Sequence, residues 1–187
     1  MLSLPLMAGA RFVAVYSFIP QYFFENPLPN AYRLVSSMFL HGGWAHILGN
    51  MFFLYVFGDN IEERMGRVKY LFFYLLGGVV ATLAHGVLAP GSPVPLVGAS
   101  GAISAVLGAY IVLYPRQRVL TFIPPLFVFW LPAWIYLGYW GVLQLVQGIA
   151  GWGAEGSGVA WWAHVGGFLF GLLAVRALTR PVRVAQS

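Results

Sequence analysis

An all-α, polytopic membrane helical bundle is the fold class this chain predicts, on three observations. Charged residues make up 8% of the 187 and apolar residues 60%, whereas ordinary soluble domains carry roughly 25% charged residues, so too little polar surface exists to face water on all sides. Charge-free runs cover 34–58, 70–115, 119–154 and 156–175, each long enough for a crossing at about 20 apolar residues. The basic residues sit singly or in pairs at the ends of these runs. Despite a net charge of +5, they read as topology signals and not as a nucleic-acid patch, so no nucleic-acid partner is expected.

At the start of the chain, residues 1–24 carry Pro5, Gly9, Arg11 and Pro20. An Arg at mid-membrane costs about 2.5 to 3.5 kcal/mol on insertion scales, so no regular crossing is expected there. Nor does Arg11 suit the apolar stretch of a removable signal peptide. Residues 1–43 read as an N-terminal segment and outer loop of short or irregular structure. Residues 44–178 read as the membrane core, and 179–187 as a cytoplasmic tail.

Charges and Gly/Pro clusters divide the core into helices at about 44–61, 68–88, 100–114, 119–147 and 159–178. The 70–115 run must be two crossings, because residues 89–95 (Ala-Pro-Gly-Ser-Pro-Val-Pro) cannot continue a helix. Pro124, Pro125 and Pro132 predict a kink or irregular backbone in the 119–147 segment. Arg64, Arg67, Lys69, Arg116, Arg118, Arg176, Arg180 and Arg183 all fall at one set of helix ends, which the positive-inside rule makes cytoplasmic. The opposite, outer side receives the Pro-rich loop and a flexible glycine-rich loop at 148–158.

Polar groups inside such a bundle are costly and therefore functional candidates. His46, Ser100 and His164 each lie 16 residues before a charge (Glu62, Arg116 and Arg180), about 24 Å at helical rise. Three helices thus present His, Ser and His at one level below the outer surface. Asn50 shares the face of His46 one turn deeper. Ser100 opens a helix, where amides lacking intrahelical partners favour negative charge. Gly101, Ala105 and Gly108, like Gly167, Gly171 and Ala174, form small-residue stripes that let the Ser100 and His164 helices approach closely. A Ser/His pair so placed suits nucleophilic catalysis, as a dyad, since Asp59, Glu62 and Glu63 lie at the far end of their helix. The absence of cysteine excludes a thiol nucleophile and thiolate metal sites. His85 also lies 16 residues from a charge, Lys69, and reads as an interfacial histidine at a helix end.

At these residues the sequence resembles the rhomboid family of intramembrane serine proteases. Gly98-Ala99-Ser100-Gly101 fits GxSG, His46 to Asn50 fits HxxxN, and Ala163-His164 with Gly167 and Gly171 fits AHxxGxxxG. His41 completes an HxxxxH spacing, Tyr32-Arg33 is similar to the Trp-Arg pair of the family's first loop, and residues 61–66 are similar to the end of its second helix. The resemblance runs from about 32 to 178. It implies a rhomboid-like bundle with Ser100 as nucleophile, His164 as general base then acid, and His46, Asn50 and the Ser100 amide as oxyanion donors. It also implies transmembrane protein substrates cut near the outer membrane face, a lipid bilayer as surroundings and no cofactor.

Two departures stand out. The position four after the nucleophile, often aromatic in the family, is Ser104, so the imidazole must be oriented by other contacts. The family core has six helices where five are secure here, so the first is expected to be missing or incomplete. The expected location is the plasma (inner) membrane of a prokaryote, with substrate passing the kinked 119–147 helix. Two competing readings are a catalytically silent, rhomboid-like protein that binds membrane helices, and a cofactor protein in which His46, His85 and His164 ligate haem or metal.

Overall fold

The computed structural model describes residues 11–123, 127–151 and 159–179. Five long helices dominate: α1 Trp44–Met65, α2 Arg67–Leu88, α3 Ser100–Leu113, α4 Ala133–Ala150 and α5 Trp161–Leu178. Four starts fall within two residues of expectation. α1 runs four residues further than expected, to Met65, and stops at Gly66, whose φ of +81° suits glycine there.

The 119–147 segment corrects the expectation. It is not one kinked helix: β1 (Arg118–Ile123) and β2 (Phe127–Pro132) pair antiparallel from Arg118↔Pro132 to Ile123↔Phe127, and only then does α4 begin. Val, Leu, Thr and Phe in β1 and Phe, Val and Trp in β2 are strand formers. Short apolar runs of this kind look alike as buried helix or strand. Pro124 and Pro125 lie outside the described residues. The start of α4 is tied back to the end of α3 by Ala133 N–H donating to Gln117 O (2.8 Å) and Trp134 N–H to Pro115 O (3.0 Å).

α3 is the central post. Every residue from Gly101 to Tyr110 is buried, and α1, α2, α4 and α5 pack around it. Phe57 and Ile61 of α1, Phe73 of α2, Leu137 of α4 and Val175 of α5 join Ile103, Val106 and Leu107 in one apolar core. A helix apolar all round belongs where neighbours surround it. α2 and α5 are each long and apolar enough to cross a membrane by themselves. α3 has 14 residues, about 21 Å, and is shorter than the four helices around it.

Before α1 the chain is a folded cap of short pieces: residues 11–16 are helical, followed by helices Pro20–Glu25, Pro27–Asn30 and Arg33–Ser36 and a 3₁₀ turn Ser37–Phe39. The Tyr32 hydroxyl donates to Val15 O (2.7 Å), and Arg33 donates to Ala14 O (2.8 Å) and Ser17 O (2.9 Å), so this pair clamps the cap. The glycine-rich loop expected at 148–158 starts later than expected, because residues 148–150 continue α4; residues 152–158 and 180–187 lie outside the described residues.

Candidate active site

The loop before α3 sets the position of Ser100. Gly98 has φ +121°, a region that favours glycine, and its N–H donates to Ser37 O (3.0 Å), anchoring the loop to the cap. A Cβ added at Gly98 would sit 2.8 Å from the His46 ring, so glycine is required here by space as well as by backbone. Ser100 is the first residue of α3, where the leading amides have no intrahelical acceptor and the helix dipole favours an anion.

Backbone contact brings α5 to α3. The missing side chain of Gly167 faces the Gly101 carbonyl, that of Gly171 the Ala105 carbonyl, and that of Gly108 the Phe168 carbonyl, as the small-residue stripes predict. One detail differs: a Cβ on Gly101 would meet Ala81 of α2 at 2.6 Å, so Gly101 serves the α2–α3 contact. With α5 held so close, His164 Nε2 stands 2.8 Å from Ser100 Oγ.

His46, Asn50, Ser100 and His164 line one cavity of about 380 Å³, together with Trp140 of α4 and Ala160. All four residues singled out from the sequence are therefore brought together. His46 Nδ1 accepts from the Gly42 N–H (3.2 Å), which leaves the ring proton of neutral His46 on Nε2, the nitrogen beside Gly98. His46 is thereby a donor on the Ser100 side. Asn50 is buried, and its Nδ2 gives one proton to His46 O (2.9 Å), leaving the second free for the cavity. His41 packs edge-on against His46 at 5.2 Å. Burial, and then the neighbouring His46, lower its pKa below the ordinary 6.5.

Sequence reasoning missed three residues. Gln144, buried on α4, places Oε1 2.8 Å from His164 Nδ1. Trp140, one turn earlier, lies 6.0 Å from the imidazole, and Trp161 lies edge-on to it at 6.2 Å. These rings occupy the surroundings for which Ser104 offers no aromatic. The Ser104 hydroxyl instead donates to Ser100 O (2.6 Å) in its own helix. The signal for Gln144 was present as an amide in an otherwise apolar segment, but its partner lies 20 residues away on another helix. His85 does not line the cavity, and among the described residues no group of three His, Asp or Glu side chains could hold a metal.

Residues 29–181 match the family model of the Rhomboid domain. The chain is 32% identical over 166 residues to presenilin-associated rhomboid-like protein A, mitochondrial, of Danio rerio, covering 87% of this chain and 42% of the relative. It is 35% identical over 103 residues to rhomboid-like protein 11, chloroplastic, of Arabidopsis thaliana (55% and 36%). To the rhomboid protease GluP of Bacillus subtilis it is 32% identical over 152 residues (80% and 26%). The chain thus spans less than half the length of each of these relatives. Mitochondrial and chloroplastic names among them give the expected prokaryotic plasma membrane no support, and the location that holds is that of a multi-pass membrane protein.

Proposed function

The chain belongs to the rhomboid family, and on that premise we propose that it is an intramembrane serine endopeptidase that cuts transmembrane protein substrates near the outer membrane face with a Ser100–His164 dyad. The observation that carries this reading is the 2.8 Å separation of Ser100 Oγ and His164 Nε2 at a cavity of about 380 Å³ that both residues line. That separation is within the reach a general base needs.

In this mechanism the Ser100 hydroxyl attacks the scissile carbonyl as His164 Nε2 takes its proton. The oxygen of the tetrahedral intermediate is met by the Ser100 amide, the His46 Nε2 proton and the free Asn50 Nδ2 proton. His164 then protonates the leaving amine. Water, activated by the same nitrogen, hydrolyses the acyl-enzyme and regenerates Ser100. The scissile segment reaches the cavity from the side of α4, whose outward residues Tyr139, Val142 and Val146 are exposed to the surroundings.

Fluorophosphonate labelling of the purified chain in detergent, together with cleavage of a transmembrane substrate in vesicles, tests the reading. Labelling and cleavage are expected in wild type and absent from Ser100→Ala and His164→Ala, with both variants keeping the wild-type melt. A wild-type protein that binds membrane helices but neither labels nor cleaves would establish the catalytically silent alternative.

A further inference from the structure

Neutral imidazole carries one proton on two nitrogens. Nε2 of His164 can take a proton from Ser100 only if its lone pair is free, which requires the ring proton on Nδ1. Something must hold it there, and among the described residues no carboxylate bonds to the ring. Among the described residues the polar and titratable groups acting on the ring are Ser100 from α3, His46 from α1, His85 from α2 and Gln144 from α4.

We propose that Gln144 is the positioning residue of this site: its Oε1 accepts the Nδ1 proton of His164, fixing tautomer and ring plane so that Nε2 faces the Ser100 hydroxyl. The proposal rests on the reading of Ser100 and His164 as nucleophile and base. An amide oxygen does the orienting work of a triad's third member without the cost of a fixed charge inside the membrane.

The packing of α4 on α5 places this amide. A Cβ on Gly141 would lie 3.2 Å from the Phe168 ring, and one on Gly148 would lie 3.1 Å from the Trp162 ring. Gln144 sits between these two glycines and meets His164, which sits between those two aromatics. The three levels form one antiparallel seam: the glycines bring the backbones near enough for a glutamine to span the gap. Gln144 is 7% exposed, so water does not replace it as the acceptor.

The test uses the full chain reconstituted in vesicles, with kcat, KM and the rate of fluorophosphonate labelling followed against pH. Gln144→Met keeps length and burial but removes the acceptor. It is expected to lower kcat and the labelling rate about 10- to 100-fold with KM nearly unchanged, the pattern of a lost transition-state contribution. Gln144→Glu restores an acceptor, so kcat recovers above the Met variant at its own optimum. Its acid limb moves to higher pH, because a carboxylate opposite Nδ1 favours the imidazolium.

Wild-type kcat and pH profile in a folded Gln144→Met would overturn the proposal. So would a Gln144→Glu variant no faster than Met. Should the Met variant lose its cooperative melt, the Gln144→Glu acid limb decides alone: a shift supports the role and coincidence with wild type overturns it. Failure of the underlying dyad would show separately, as labelling that persists in Ser100→Ala or His164→Ala.

Discussion

Helix α5 packs on α2, α3 and α4, and it meets α3 and α4 in two different ways. Toward α3 it meets backbone: glycines 167 and 171 rest on carbonyls of Gly101 and Ala105, and Gly108 rests on the carbonyl of Phe168. Toward α4 it meets side chains, with glycines 141 and 148 facing the rings of Phe168 and Trp162. α4 buries only Ala133, Leu137, Gln144 and Gly148, whereas α3 is buried over ten consecutive residues. Backbone carbonyls cannot rotate away, but an aromatic ring can. The first seam fixes the distance between Ser100 and His164, and the second orients the imidazole once that distance is set. One site therefore combines a rigid spacing with an adjustable alignment.

The largest effect is expected where backbone meets backbone. Gly171→Val puts its side chain onto the Ala105 carbonyl and should cost roughly 3 kcal/mol or more as an overpacked core, lowering the detergent melting temperature and removing activity together. Gly167→Val should do the same against Gly101. A normal melt in both would show that α3 and α5 can separate, and the contrast between the seams would collapse.

Next in size is Gly98→Ala, which forces a side chain toward the His46 ring at a φ of +121°. Displacement of about 1 Å at a reacting centre costs on the order of 100-fold in rate, so labelling should slow by about that factor, and the strained backbone should lower the melting temperature as well. Asn50→Ala removes one of the proposed oxyanion donors and should lower kcat by up to roughly 100-fold while KM changes little. Retention of full kcat would mean that the His46 proton and the Ser100 amide suffice.

On the other seam the expected effects are smaller. Gly148→Ala meets a ring at 3.1 Å that can shift by a few tenths of an ångström, so stability should change by less than about 1 kcal/mol, with a modest loss of kcat. Loss of folding in this variant would place the α4 seam in the same rigid class as the α3 seam.

The smallest effect concerns the outer rim. Burial and then His46 lower the pKa of His41, and a histidine whose folded pKa is depressed loses stability as pH falls below its unfolded value of about 6.5. His41→Gln should therefore flatten the acid-side fall of the melting temperature, while leaving the neutral-pH value of the glycine seams unaffected. An unchanged acid slope would remove His41 from this role.

Much of this arrangement was legible in the chain itself. Charge-free runs bounded by charged residues mark the membrane core, because it excludes charge whatever the packing. The equal spacing of His46, Ser100 and His164 from the charged layer follows from helical rise, and the small-residue stripes point to close backbone approach. Tertiary structure decided the rest. Apolar runs of six residues suit strand or helix equally, so the β1–β2 pairing came from register between neighbours and not from composition. Gln144 announced itself only as a polar residue in an apolar segment. Its partner was set when Gly141 and Gly148 let α4 approach α5, a contact between residues 20 positions apart that no local pattern encodes. Local sequence determines which groups are costly to bury. Only the packed helices determine which of those groups meet, because satisfying a buried polar atom is a property of the pair.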